Sequence, residues 1–153
     1  MNKLYRNANN ELFVDPIFEN HEGLIEIDQV EFDTILSNLN KPTVKQVLSQ
    51  LSAKRKAQEQ QGVTINNIRY AGDPGNRQAM QEAISFMDYA GLAKFARWKD
   101  SDNVFHANHP LADVRDAYRA IGVHRAQLIA AEGEYATQIA AGTLTDLSEV
   151  VWP

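Results

Sequence analysis

Histidines are the side chains in this sequence best suited to chemistry near neutral pH, and two of the four lie close together. A metal site built on His106 and His109 would need a third ligand, which Asp100 or Asp102 could supply. The pair falls at the end of an expected strand, before Pro110, and not on a helix, where this spacing places two side chains on one face. The preferred interpretation is ordinary exposed loop histidines, and a metal-dependent hydrolase is the alternative.

Other reactive patterns are incomplete. Residues 100–103 lack the following glycine and glutamate of a calcium loop, and residues 72–75 lack the lysine and hydroxyl of a phosphate-binding loop. The chain has no cysteine, which excludes thiolate nucleophiles and disulfides. His21 is expected in an exposed turn and His124 at a polar helix boundary. We therefore predict a chain that is not an enzyme and has no catalytic residue, cofactor or metal ligand.

The net charge and the hydropathy of the chain limit the classes of partner that it can bind. The net charge of -5 argues against nucleic-acid binding, which requires a surplus of cations along one face. The one basic run, 54–56, is expected to be a solvated helix face. Neither a secretion signal nor a membrane span is visible, so no membrane partner is expected. The predicted location is the cytoplasm in which the chain is made, or an assembled particle.

Aromatic side chains are the more informative feature, because they concentrate in the predicted hairpins and at the ends of elements. One interpretation is that they fill the thin cores of small sheets. The other is that some of them bind a protein partner, since buried aromatic residues contribute much of the free energy of association. The candidate contact residues are Trp98, Phe105 and Trp152.

Turn and capping signals predict an α+β fold of two small antiparallel β-hairpin or sheet units with packed helices, linked by a polar helix, and a long C-terminal helix. The predicted first unit is 1–42, with a hairpin, a third extended piece and a helix that starts in a capping box at Asp28 and Glu31. Residues 43–61 are a predicted linker helix. Its second half is almost wholly polar and is expected to be an exposed strut.

The predicted second unit is 62–153. Asn66-Asn67 between two β-prone runs predicts a tight hairpin, and a helix and a second hairpin follow. After Pro110 a helix is expected to continue to about Ala141, with a heptad seam that two charges interrupt. Gly122 and Gly133 are expected to mark a kink or the close approach of a neighbouring helix.

The order of motifs after residue 62 resembles a phage-associated domain of unknown function at the carboxyl-terminal end of tail and tail-fibre assembly proteins. The motifs are Gly62-Val63, Ile68-Arg69-Tyr70, Asp73 to Arg77, Trp98 before an Asp-Asn turn, Val123-His124, residues 142–147 and Trp152-Pro153. The amino-terminal part is similar to the start of many phage tail-fibre assembly chaperones. Its motifs are Leu4 to Asn7, Glu11 to Phe13, and Ile27-Asp28 with Phe32.

The resemblance implies a function without catalysis, because the family has no known catalytic residues. The implied partner is a phage tail-fibre protein, expected to be trimeric, or a neighbouring tail subunit. Two roles stay open, namely an assembly chaperone or fibre-associated accessory protein in the host cytoplasm, and a permanent structural subunit of the virion tail. Homo-oligomerisation is also left open.

Overall fold

The computed structural model of the chain describes residues 3–14 and 22–153. The chain forms two compact units, Met1–Thr43 and Val44–Pro153. Each unit combines short antiparallel strands with helices, which confirms the predicted α+β class and the long carboxyl-terminal helix. No helix within the described ranges is long and apolar enough to cross a membrane. His21 lies outside the described residues.

The first unit is a three-stranded antiparallel sheet followed by one helix. Its elements are β1 (Leu4–Arg6), β2 (Leu12–Val14), β3 (Ile25–Ile27) and α1 (Gln29–Leu39). Strand β1 is central and pairs with both of the others. Tyr5 and Ile27 are its buried residues among those described. Such a small core provides little apolar burial to stabilise the unit.

Asp28 caps the start of helix α1, because its side chain accepts a hydrogen bond from the amide of Glu31 at 2.7 Å. This half of the predicted capping box is confirmed. The Glu31 carboxylate is instead 2.8 Å from Nε of Arg6 on β1, so it joins the helix to the sheet. Along α1, Leu36 and Leu39 remain exposed.

The second unit contains most of the helices and two separate hairpins. Its elements are α2 (Val44–Gln61), β4 (Val63–Ile65), β5 (Ile68–Tyr70), α3 (Pro74–Tyr89), β6 (Lys94–Lys99), β7 (Phe105–Pro110), α4 (Leu111–Ala140) and a 3₁₀ turn (Leu147–Glu149). Strand β4 pairs with β5 and β6 pairs with β7, both antiparallel. Helices α2 and α3 and strand β4 pack against α4.

Local turn chemistry sets several of these boundaries. Asn66 and Asn67 have φ of 50° and 62°, the left-handed conformation that a two-residue hairpin turn requires. Asp73 starts α3 because its carboxylate accepts the amides of Gly75 at 3.0 Å and Asn76 at 3.1 Å. The predicted hairpin is therefore confirmed, and the helix expected after it begins at Pro74.

Helix α4 carries two core clusters along one stripe. The first consists of Tyr70, Met80, Val114, Ala117 and Ile121, and the second of Val47, Leu51, Ile139, Leu144 and Leu147. The buried positions on α4 are separated by three, three, four, seven and eleven residues, and all of these intervals are sums of threes and fours, as one stripe of a helix requires. They are Leu111, Val114, Ala117, Ile121, Leu128 and Ile139. One helix thus connects the hairpins and α3 at one end with α2 and the carboxyl-terminal turn at the other.

The expectation of an exposed strut for the second half of α2 is wrong. Glu59 has only 8% of its surface exposed, and Arg55 lies beside it against Glu132 of α4. The apolar stripe does end after Leu51, but ion pairs hold the rest of α2 against α4. A search for apolar periodicity cannot detect such ion pairs.

Two glycines allow a close backbone approach at the junction of α2 and β5. A Cβ on Gly62, where φ is 70°, would lie 1.8 Å from the carbonyl oxygen of Tyr70. A Cβ on Gly72 would lie 2.1 Å from the carbonyl oxygen of Glu59. The expected neighbour is absent at Gly122 and Gly133, because a Cβ at either position would meet nothing within 4 Å.

Replacing Gly62 by alanine is expected to lower the free energy of unfolding by about 3 kcal/mol, because the methyl group collides with backbone and φ is left-handed. Gly133→Ala is the matched control. It should raise the free energy of unfolding by up to about 1 kcal/mol, because the site is open and alanine favours helix. Urea denaturation measures both. Equal stability of Gly62→Ala and the unchanged chain would contradict the close approach.

Candidate functional site

The β6–β7 hairpin gathers aromatic and histidine rings on one face. Phe95 pairs with His109 across the strands, and Trp98 pairs with His106. In a regular strand, residues three apart point to opposite faces. Here Asn108 has φ of 53°, which interrupts the alternation of side chains between the two faces of β7. The rings of His106 and His109 are therefore in contact, and so are those of Phe95 and Trp98 on the paired strand. The centroids of Phe95 and Trp98 are 5.0 Å apart.

His109 lies inside this cluster. It is only 3% exposed, its Nε2 is 2.8 Å from the hydroxyl oxygen of Tyr70, and its ring stacks on Trp98 with centroids 5.7 Å apart. Burial lowers the pKa of His109 and raises the pKa of Tyr70 to about 12, because burial disfavours both charged forms. The two side chains are therefore a neutral hydrogen-bonded pair near pH 7.

The interpretation of His109 as an exposed loop histidine is wrong. Strand β7 continues to Pro110, so His109 is a strand residue that faces the core. His106 is a partly exposed strand residue whose Nε2 is 2.7 Å from the carboxylate of Asp100. Within residues 3–14 and 22–153, no three histidine, aspartate or glutamate side chains are grouped so that they could hold a metal ion.

Asp100 organises the turn between β6 and β7. Its carboxylate accepts the amides of Asp102 at 2.9 Å and Val104 at 2.8 Å, in addition to the contact with His106. These hydrogen bonds, that of His106 first, lower the pKa of Asp100. The carboxylate is thus used by the turn itself, which agrees with the hairpin interpretation of 100–103 and not with a calcium loop.

The same turn is attached to β5. The Ser101 amide donates to the carbonyl of Arg69 at 3.2 Å, and the Ser101 hydroxyl accepts the amide of Ala71 at 2.7 Å. The guanidinium of Arg69 lies 2.7 Å from the carboxylate of Asp102. These contacts hold the tip of the second hairpin against the end of the first.

The three predicted contact residues occupy different environments. Trp98 is partly buried and packs on the first core cluster, with its ring 6.1 Å from that of Tyr70. Trp152 is also partly buried, against the second cluster, with its ring 6.0 Å from that of Tyr135. Phe105 is 62% exposed near the tip of the hairpin. The structure does not bring the three together, and only Phe105 presents most of its surface.

A second exposed apolar region lies at the carboxyl end of α3. Phe86, Tyr89 and Leu92 are all exposed, and Tyr89 has 93% of its surface accessible. We call these three residues the α3-end surface. The sequence contained a signal for it, because Phe86 and Tyr89 lie outside the apolar stripe that the buried Met80 and Met87 define.

A shallow groove lies between α3 and α4. Its volume is about 440 Å³, and its lining includes Ile84, Asp88, Arg115 and Tyr118. The carboxylate of Asp88 and the guanidinium of Arg115 form an ion pair across it. Apolar and charged side chains thus line the same groove.

Ion pairs join α2, α3 and α4 around Glu59. Its carboxylate contacts Arg55 and lies 3.3 Å from Nε of Arg125 and 3.9 Å from Arg77. Arg55 also lies 2.6 Å from Glu132. Arg125 and Glu132 are the two charges that interrupt the heptad seam, so that interruption was the available sequence signal.

The basic run 54–56 is therefore only in part the solvated face that was expected. Arg55 is largely buried in the network around Glu59, and Lys54 donates to the carbonyl of Leu147 at 2.8 Å. The side chain of Lys56 is exposed and has no hydrogen-bond or ion-pair partner in the described part of the chain.

Replacing Trp98 by alanine is expected to lower the free energy of unfolding by about 3 kcal/mol, because a large ring leaves the first core cluster. Phe105→Ala, in the neighbouring strand of the same hairpin, should change it by no more than about 0.5 kcal/mol. Urea denaturation followed by circular dichroism measures both. The assignment of Trp98 to the core fails if the two variants have the same stability.

Stability should fall as the pH is lowered through the range in which His109 titrates. Its pKa is lowered from 6.5 in the folded chain, so the unfolded chain binds the proton more readily. Neutral His109 contributes fully to the free energy of unfolding above about pH 6.5. This contribution is lost as the pH falls toward the lower pKa of the folded chain, and the free energy of unfolding then changes by at most about 1.4 kcal/mol per pH unit. His109→Gln should remove this slope, whereas His124→Gln should keep it. Denaturation curves from about pH 8 to about pH 5 test this, and an unchanged slope in His109→Gln would refute it.

Comparison with known proteins gives one match. The family described as Domain of unknown function (DUF4376) matches residues 43–151, well over half of the chain. No similar curated protein and no similar solved structure was found. The match supports a domain of unknown function in the carboxyl-terminal part and extends it back to include α2. The chain belongs to the DUF4376 family of domains of unknown function.

Proposed function

We propose that this chain is a non-enzymatic bacteriophage tail-fibre assembly chaperone or fibre-associated accessory protein that acts through protein-protein contacts. The phage setting rests on the sequence resemblance from Gly62 to Pro153 and in the amino-terminal motifs. The observation that carries the mode of action is the α3-end surface, where Phe86 and Tyr89, three residues apart on the helix, and Leu92, just after it, are all exposed. The partner is a phage tail-fibre protein or a neighbouring tail subunit, and the chain acts in the host cytoplasm during assembly.

Burial of the α3-end surface would release substantial free energy. Complete burial of a fully exposed Leu or Phe side chain contributes about 1.5–3 kcal/mol, and Phe86 and Leu92, which are 64% and 49% exposed, would contribute a corresponding part of it. Tyrosine adds a hydroxyl that forms a hydrogen bond at the edge of a contact, and aromatic residues are common among the strongest contacts between proteins. An immature fibre subunit exposes apolar surface and strand edges, which such a surface would cover.

The arrangement of the ionisable groups also supports a binding role. His109 is hydrogen-bonded to Tyr70 inside the core, and His106 is hydrogen-bonded to Asp100 in a turn. General acid or base catalysis requires such a group within hydrogen-bond reach of a substrate proton. Both histidines instead stabilise the hairpin that presents Phe105 to solvent.

The alternative is a permanent structural subunit of the phage tail or fibre network, which would use the same exposed surface. An accessory protein that leaves after assembly is absent from purified virions, whereas a structural subunit is present at a fixed ratio to the fibre protein. Mass spectrometry of purified virions separates the two. In either case, contacts with other polypeptides and not turnover of a substrate would be the activity.

Co-expression with the neighbouring fibre gene, followed by affinity capture, tests the proposal. The double variant Phe86→Ser with Tyr89→Ser should reduce the recovered fibre protein at least about tenfold, because exposed aromatic contacts are lost without loss of the core. Ala79→Ser, exposed on the same helix, is the control and should leave recovery unchanged. Unchanged recovery with the double variant would count against the α3-end surface, and failure to capture any fibre protein would count against the function.

A further inference from the structure

We propose that the cavity between α2, the start of α3 and α4 is a binding site for a small oxyanion of the phosphate class. The cavity has a volume of about 370 Å³. Its lining residues are Arg55, Lys56, Glu59, Gln60, Asp73, Pro74, Arg77 and Arg125. This inference does not depend on the function proposed above.

Cations outnumber carboxylates around this cavity. Four of the lining residues are cationic, and two, Glu59 and Asp73, are acidic. Glu132, which pairs with Arg55, is a third carboxylate next to the cavity. An excess of positive charge therefore remains, although the whole chain has a net charge of -5. A local field of this sign attracts an anion.

The buried carboxylate does not satisfy all of the donors. Glu59 is in direct contact with Arg55 and 3.3 Å from Nε of Arg125, but Arg77 approaches it only to 3.9 Å. A guanidinium has five N–H donors in a planar fork. Arg77 uses one of its nitrogens for the carbonyl of Gly72, and Arg125 is close to half exposed. Donors on both arginines are thus available to a ligand.

Lys56 provides the third available cation. Its side chain is exposed and is unpaired within the described ranges, and it lines the same cavity. Two guanidinium groups and an ammonium on three different helices can surround an oxyanion from several sides. Arginine forks match the spacing of two oxygens on phosphate, and lysine adds a point charge.

The other carboxylate restricts where the anion can lie. Asp73 accepts the amides of Gly75 and Asn76 at the start of α3, and its hydrogen bonds, that of the Asn76 side chain first, lower its pKa. It is therefore ionised and repels an anion from the α3 amides. The available space is on the side of Lys56, Arg77 and Arg125. Such a geometry favours a compact anion over an extended one.

Isothermal titration with inorganic phosphate, with sodium chloride of equal ionic strength as the blank, tests the proposal. The unchanged chain should bind phosphate in a saturable way. The double variant Lys56→Gln with Arg125→Gln removes two exposed cations and should weaken binding at least about tenfold, because charge-assisted hydrogen bonds are lost. Arg55 remains to pair with Glu59, so folding should persist, and thermal melting followed by circular dichroism checks this.

The matched control is Lys45→Gln with Arg97→Gln, which removes the same charge from exposed positions of the same unit outside the cavity. It should bind phosphate like the unchanged chain. The proposal is overturned if phosphate gives no saturable heat beyond chloride, or if both double variants lose affinity equally. If the cavity variant does not fold, Lys56→Gln alone replaces it, and unchanged affinity in that variant also overturns the proposal.

Discussion

Burial along a single stripe of α4 is the interaction on which the rest of the second unit depends. Hydrophobic burial has no preferred direction, so it holds α2, α3 and the hairpins to this helix without determining where each lies along it. Val114 and Ile121 pack against the hairpins and α3, whereas Ile139 packs against α2 and the carboxyl-terminal turn. Without this helix, neither hairpin has a core of its own, because a two-stranded hairpin alone is only marginally stable in water.

The charges in the middle of the stripe determine where α2 lies along α4, which hydrophobic burial alone does not. Arg125 and Glu132 would be costly against an apolar neighbour, since an unpaired charge loses its hydration without compensation. Glu59 and Arg55 of α2 meet them instead. A shift of α2 by one turn would bring Arg55 to Arg125 or Glu59 to Glu132, and either contact joins like charges. The ion pairs therefore specify the register of the two helices, although replacement of such pairs by apolar residues often costs little stability.

Elements whose boundaries depend on local chemistry were predictable from sequence. The turn at Asn66-Asn67 and the start of α1 at Asp28 each follow from a few neighbouring residues. The packing of the polar half of α2 was not predictable in this way, because its partners are distant in the sequence. His109 was misinterpreted for a related reason. The strand was expected to end before His109. The left-handed conformation of Asn108 places His106 and His109 on one face although they are three residues apart, and this conformation depends on the folded hairpin.

The candidate contact residues illustrate the same limit at the surface. Composition identifies Trp98, Phe105 and Trp152 as large apolar groups, but whether each faces the core depends on the pairing of the strands and on the helix that covers them. Phe105 lies opposite Lys99, one position beyond the pair of Trp98 and His106, and this single step moves it from the covered face to the exposed one. In a thin hairpin the same residue type can stabilise the fold or remain available to a partner. Register, and not hydrophobicity, therefore separates structural aromatic residues from those that a partner can bind.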